Sequence, residues 1–141
     1  YAAASLAAML TAGTLIDQFT AKRVVQFILI PLALAAFTIG TADQHLWIIP
    51  YMLLLGLHTG FTWPALSALW AELYGVKHLG SIKGLFAGLT VTGSAVGPFI
   101  VGSMMDSGFS IENICYILAT GTLLANIPLS VGLRSNTSKH I

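Results

Sequence analysis

A short stretch near the middle of the chain, GLHTGFTWP at residues 56–64, places polar side chains within a long apolar run. An ionisable residue at the centre of such a run is costly unless it faces protein or water, so it is a candidate functional residue by default. His58 can bind an anion when protonated, or it can relay a proton. The structural alternative, a neutral His58 that donates to a neighbouring backbone carbonyl, stays open. We therefore predict a substrate or proton pathway at His58, Thr59, Thr62 and Trp63.

The other reactive residues do not form an enzyme-like constellation. The histidines are scattered, no H-E-x-x-H or G-x-S-x-G motif occurs, and the carboxylates lie near segment ends. The single cysteine, Cys115, cannot form an internal disulfide and is typical of inert packing in an apolar run. The basic residues are too few and too scattered for a nucleic-acid partner. We predict no catalytic site, no metal site and no cofactor.

The elements that position these residues are indicated by composition. The 141 residues are 56% hydrophobic and 8% charged, with a mean hydropathy of +0.85, whereas soluble domains are about 25% charged. Such a chain belongs in a bilayer, whose hydrocarbon core of ~30 Å is crossed by about 20 helical residues. Four apolar segments approach or exceed that length: 24–42, 46–73, 82–105 and 111–133.

The first apolar segment, residues 1–16, is too short to span and is interpreted as the last part of a helix whose start is missing. No segment alternates polar and apolar residues as a lipid-facing strand must. We therefore predict an all-α fold, a polytopic transmembrane helix bundle with about four full spans and one truncated span over residues 1–133. A cytoplasmic tail is expected at 134–141.

The charges are segregated along the chain. Turns that lack Lys and Arg carry Asp43, Asp106 and Glu112. Under the positive-inside rule the basic clusters are cytoplasmic and the acidic turns face outward. We expect an integral, multi-pass protein of the bacterial inner (plasma) membrane with a cytoplasmic C-terminus and the lipid bilayer as its surroundings. The basic clusters are Lys22 with Arg23, Lys77 with Lys83, and Arg134 with Lys139.

The stretch GTLIDQFTAKR, residues 13–23, gathers three charges and a glycine between two apolar runs. Gly13 allows close helix approach, and Asp17 can accept hydrogen bonds from exposed amides at the start of a neighbouring helix. Lys22 and Arg23 anchor the start of the next helix on the positive side. A solvated turn that obeys only the positive-inside rule is the alternative.

This stretch resembles the cytoplasmic signature of the major facilitator superfamily, G-x-L-x-D-x-x-G-R-[KR]-x. Gly13, Leu15, Asp17 and Lys22 match the signature. Gln18, Thr20 and Ala21 stand where the family favours a basic residue, a glycine and a basic residue. Weakened copies of this kind are found in the family between the eighth and ninth helices.

Two further stretches are similar to elements of the same family. GSAVGPFIVG, residues 93–102, resembles the G-x-x-x-G-P-x-x-G-G element of the fifth helix and its eleventh-helix counterpart. AELYGVKHLGSIKG, residues 71–84, is similar to the loop that enters the eleventh helix in monocarboxylate and oxalate/formate carriers. The matching positions of the first of these stretches are Gly93, Gly97, Pro98 and Gly102, while Val101 replaces a glycine.

The resemblance implies that the chain is the C-terminal half of a twelve-helix carrier, from a partial helix eight to helix twelve. Helices two to six are the rival placement, against which stands the absence of the arginine that the family's fourth helix usually carries. The implied function is secondary active transport of a small solute by alternating access, with an organic anion and a coupled proton as candidate cargo. The N-terminal half of the same carrier is then its partner. A non-transporting accessory or structural membrane subunit is the alternative.

Glycines recur at a four-residue step, which places them on one face of a helix and lets a neighbouring helix approach closely. In an alternating-access carrier such smooth faces also let helices slide or rock. The glycines with this spacing are Gly56 and Gly60, then Gly80, Gly84 and Gly88, and then Gly93 and Gly97.

Overall fold

The computed structural model describes residues 1–42 and 44–135 as a bundle of long α-helices. The predicted all-α fold is confirmed, and no strand occurs among these residues. Asp43 and residues 136–141 of the predicted tail lie outside the described residues. The helices are α1 (Ala2–Phe19), α2 (Ala21–Gly40), α3 (Ile48–Tyr74), α4 (Leu79–Asp106) and α5 (Ile111–Ser135), with single 3₁₀ turns at His45–Trp47 and Val76–His78.

The helices extend beyond the apolar segments at most of their ends. Helix α1 continues through Asp17 to Phe19 and has 18 residues. It ends three residues later than the predicted segment, and by length and composition all five helices are able to cross a membrane. Helix α5 runs two residues past Leu133 into the predicted tail. Hydropathy marks only the part of a helix that suits hydrocarbon, whereas backbone hydrogen bonding continues where polar side chains reach water.

Helix α2 lies at the centre of the described bundle and packs along both α3 and α5, while α1 packs mainly on α3. The largest buried cluster joins Ala21 and Val25 of α2 to Ala65 and Leu69 of α3 and Leu133 of α5. Small side chains at the α2–α3 contact bring the two helices close together, as is typical of membrane bundles. This cluster fixes how α3 is rotated, and therefore which of its polar residues face α2.

The first halves of α1 and α3 approach each other very closely. A Cβ added at Gly56 would lie 2.7 Å from the Tyr1 carbonyl oxygen, and one added at Gly60 would lie 2.6 Å from the Ala8 Cβ. Ala8 and Ala12 of α1 are buried. The glycine pair at residues 56 and 60 is therefore required for backbone approach, as the four-residue spacing predicts.

Helix α4 is attached loosely to the rest of the described chain. None of its residues is buried. Its clearest side-chain contact is an edge-to-face pair between Phe86 and Trp70 of α3, with ring centroids 4.9 Å apart. A Cβ added at any glycine of α4 would meet nothing within 4 Å in the described chain. The predicted close approach at these glycines is therefore not made by any helix that the structure describes.

The two ends of the bundle differ in charge. Lys22 and Arg23 begin α2 at the end where α3 stops and α4 starts, so that Lys77 and Lys83 lie at the same end. At the opposite end, Gly40 of α2 lies against the first turns of α5, where Glu112 is found. The tertiary structure thus brings basic clusters that are far apart in the sequence to one end of the molecule.

Candidate functional site

His58 lies on α3 and faces α2. Its Nδ1 atom is 2.9 Å from the Ile28 carbonyl oxygen. Because a carbonyl oxygen only accepts hydrogen bonds, Nδ1 carries the proton in this contact. Ile28 lies three residues before Pro31, which is inside α2. His58 is half-buried, and its Nε2 atom has no hydrogen-bond partner among the described residues.

Of the other three residues of the predicted pathway, Thr62 lies about 40° from His58 around α3 and shares its face, whereas Thr59 and Trp63 do not. Successive residues of an α-helix are about 100° apart, so Trp63 points about 140° away from His58. Trp63 is 57% exposed, so more than half of its surface is not covered by the described chain. Thr62 donates to the His58 carbonyl oxygen at 2.6 Å, and Thr59 donates to the Leu55 carbonyl oxygen at 3.0 Å while it lies against α1 near Ser5. The structure separates the predicted cluster into an α2 face and a face turned away from α2.

The turn between α1 and α2 is held by a carboxylate from α3. Glu72 Oε1 accepts a hydrogen bond of 2.9 Å from the Ala21 backbone amide, at the first residue of α2. A negative charge at this point also interacts favourably with the positive end of the α2 dipole. Asp17, to which we assigned contacts of this kind, is exposed and makes no hydrogen bond within the described chain. Glu72 and Ala21 are 51 residues apart in the sequence. The sequence alone therefore does not predict that they are in contact.

Thr20 occupies the connection itself and has φ 68° and ψ 148°. It is the one residue other than glycine that has a positive φ in the described chain. This region is sterically costly for a β-branched side chain and open to glycine. The family signature has glycine at this position, so the structure explains that preference by the backbone conformation that the turn requires. A Cβ added at Gly13, by contrast, would meet nothing within 4 Å, so the expected close approach there is not made by the described helices.

A cavity of about 560 Å³ lies between α1, α2 and α3. Apart from Arg23 and His58, every side chain that lines it is apolar. We call this space the apolar cavity. Its lining residues are Leu15 and Phe19 of α1, Arg23, Val24, Phe27, Ile28 and Pro31 of α2, and Leu57, His58 and Phe61 of α3.

A second cavity, of about 710 Å³, adjoins the first at the basic end of the bundle. We call it the polar cavity, because five of the eight residues that line it carry amide or charged side chains. Phe19 and Arg23 line both cavities. The polar cavity is lined by Gln18, Phe19, Thr20, Lys22, Arg23, Gln26, Glu72 and Leu133.

The predicted packing and kink element of α4 is present as sequence but is unpartnered. Pro98 lies inside the helix, and a Cβ added at Gly93, Gly97 or Gly102 would meet no neighbouring side chain or helix within 4 Å in the described chain. Among the described residues there is also no group of three or more His, Cys, Asp or Glu side chains that could hold a metal ion.

Five long apolar helices, found within the described part of the chain, and a basic and an acidic end define an integral, multi-pass membrane protein. A family model described as Major Facilitator Superfamily matches residues 1–140. The chain therefore belongs to the Major Facilitator Superfamily, whose members are membrane transporters. No curated protein and no solved structure gives a significant match.

Proposed function

We propose that this chain is the C-terminal half of a secondary transporter that moves a small solute by alternating access. Helix α4 is the observation that carries this proposal. It has 28 residues, none of them buried, and the glycines along it meet no described neighbour. A smooth helix face of this kind suits a contact that forms and changes during transport, and an N-terminal half of the same carrier would supply it. The order of the loop motif and the G-x-x-x-G-P element fits helices eight to twelve and helices two to six alike, whereas the weakened loop motif and the lack of an arginine in α3 favour helices eight to twelve.

The solute path is proposed along the face of α3 that is turned away from α2. Trp63 lies on this face and is 57% exposed, so it is open to groups that the described chain does not contain. An organic anion is the proposed cargo and a proton the proposed coupling ion. His58 has two remaining roles in this scheme: its Nε2 can take up the coupled proton, or its Nδ1 contact can hold α3 against α2.

The two roles of His58 are separated by a pair of substitutions. In asparagine, an amide atom bonded to Cγ takes the place of Nδ1, so His58→Asn keeps a donor for the Ile28 carbonyl oxygen but removes Nε2 and the titrating ring. His58→Ala removes both. A role in proton transfer predicts that both variants lose transport while membrane insertion is intact. A purely positional role predicts that only His58→Ala loses it, and wild-type uptake in His58→Ala refutes both roles.

Uptake by the full-length protein tests the function itself. Proteoliposomes with an imposed pH gradient are supplied with radiolabelled lactate, formate or oxalate, and accumulation above protein-free vesicles is expected for at least one of them. If no probe accumulates under any imposed gradient, the accessory or structural subunit replaces the transporter as the proposed function. The coding sequence upstream of Tyr1 tests the placement, because a C-terminal half requires about seven further apolar segments there.

The orientation is a separate proposal. Lys22, Arg23, Lys77 and Lys83 lie at one end of the bundle, and we place that end, together with the C-terminus, in the cytoplasm of a bacterial cell. A C-terminal alkaline phosphatase fusion is expected to be inactive and a C-terminal green fluorescent protein fusion to be fluorescent. An active phosphatase fusion together with a non-fluorescent protein fusion would refute the orientation. Neither result would affect the conclusion from the transport assay.

A further inference from the structure

We propose that the apolar cavity and the polar cavity together bind one anionic glycerophospholipid of the cytoplasmic leaflet, with its phosphate at Lys22 and Arg23 and an acyl chain between α1, α2 and α3. The proposal takes only its leaflet from the orientation given above. It rests on two adjoining spaces of opposite character whose common wall contains Arg23.

The apolar cavity suits a hydrocarbon chain better than a small organic anion. Of its two polar side chains, His58 already donates from Nδ1 to the Ile28 carbonyl oxygen. A small anion could pair with Arg23 only at the end that is shared with the polar cavity, and deeper between the apolar side chains it would leave its acceptors unpaired, which is costly. An acyl chain has no such acceptors and removes apolar surface from contact with water.

The dimensions agree with a lipid that enters from the basic end. Along α2 the apolar cavity extends from Arg23 to Pro31, which is eight residues or about 12 Å at 1.5 Å per residue. That depth fits within one leaflet, which is about half of the ~30 Å hydrocarbon core. Phe19 and Phe27 are 49% and 65% exposed, so their rings flank the cavity where a lipid tail can reach it.

The charges select the headgroup. Lys22 and Arg23 both line the polar cavity, while the one acidic side chain there, Glu72, is engaged by the Ala21 amide at the positive end of α2. Two cations against one engaged carboxylate favour a negatively charged headgroup over a zwitterionic one. Basic pockets between helices on the cytoplasmic side are known to hold anionic lipid headgroups.

Native mass spectrometry of the full-length protein in detergent micelles tests the proposal. Phosphatidylglycerol and phosphatidylcholine with the same acyl chains are added in turn, and the population of the one-lipid complex is measured. We expect phosphatidylglycerol to bind more tightly. Each juxtamembrane cation contributes about fivefold to such binding, so the Lys22→Gln/Arg23→Gln double variant is expected to bind phosphatidylglycerol about 25-fold more weakly. The matched control, Lys77→Gln/Lys83→Gln, removes two cations at the same end that line neither cavity and is expected to bind as the wild type does.

The acyl chain is tested by a second pair of variants. Phe27→Ala removes one wall of the apolar cavity and is expected to weaken phosphatidylglycerol binding about fivefold. Phe99→Ala removes a ring that is 74% exposed on α4, outside both cavities, and is expected to change nothing. Inorganic phosphate at millimolar concentration distinguishes a free anion from a lipid, because it should not displace the bound lipid.

Several results overturn the lipid site: equal binding of the two lipids, equal loss in the two double variants, equal loss in Phe27→Ala and Phe99→Ala, or displacement by phosphate. None of these readouts depends on uptake. A failure of transport with intact, Lys22- and Arg23-dependent lipid binding would refute the proposed function alone.

Discussion

Replacing Gly60 with alanine should force α1 away from α3. The added Cβ would lie 2.6 Å from the Ala8 Cβ and would overlap the Ser5 carbonyl oxygen. Carbon atoms in contact are about 3.5–4.0 Å apart, so the two helices must separate by about 1 Å. A rotamer change cannot relieve the overlap, because the atoms that the new methyl group meets are a backbone oxygen and a Cβ.

The magnitude follows from two opposing effects. Overpacking of this kind costs about 1–3 kcal/mol, since a gap of about 1 Å forfeits up to half of the dispersion energy of the neighbouring contacts. Alanine regains about 0.5–1 kcal/mol relative to glycine inside a helix. We therefore expect Gly60→Ala to lower the free energy of unfolding by about 1–2 kcal/mol.

The assay is reversible unfolding of the full-length protein in mixed micelles on titration with SDS. Gly121→Ala is the matched control, because Gly121 lies inside α5 and a Cβ there would meet nothing within 4 Å in the described chain. It is expected to be neutral or stabilising by up to about 1 kcal/mol. If both substitutions shift the transition in the same direction and by the same amount, the close α1–α3 crossing is refuted.

Three further substitutions are read in the same unfolding assay. Thr20→Gly should stabilise the protein by about 1 kcal/mol, because relief of about 1–3 kcal/mol of backbone strain exceeds the entropic cost of glycine. Thr20→Val stays β-branched and should not stabilise it. An equal gain in the two variants would contradict backbone strain at residue 20. Glu72→Ala should cost about 1 kcal/mol by leaving the Ala21 amide without its acceptor, and Glu72→Gln should cost less, so equal losses would indicate that charge alone matters. Phe86→Leu should cost about 0.5–1.5 kcal/mol through loss of the ring pair with Trp70, and an unchanged transition would show that this pair does not hold α4.

Local features of the sequence were sufficient for the class of protein and its spans. Low charge and long apolar runs predict membrane helices, because the hydrocarbon core of the bilayer favours apolar side chains at every position along a span. The loop signature around Asp17 and the glycine-proline element around Pro98 carry the superfamily resemblance, which the match over residues 1–140 confirms. Helix ends such as Phe19 and Ser135 were missed, because polar residues continue a helix beyond the hydrocarbon.

The partners of individual side chains could not be predicted in the same way. The sequence identified Gly56 and Gly60 by their spacing, yet the same spacing in α4 has no described neighbour, since spacing defines a face but not what packs on it. It identified His58 as a polar residue at membrane depth, but its contact with Ile28 depends on how α3 is rotated against α2.

The sequence by itself determined the all-α membrane fold, the separation of basic and acidic turns and the family, because hydropathy, charge and short motifs act over a few residues. Only the tertiary structure decided that Glu72 rather than Asp17 binds the start of α2, because that contact joins residues 51 positions apart. It also decided that Arg23 lies between an apolar and a polar cavity. Both outcomes depend on contacts between residues that are far apart in the sequence, which patterns over a few residues do not define.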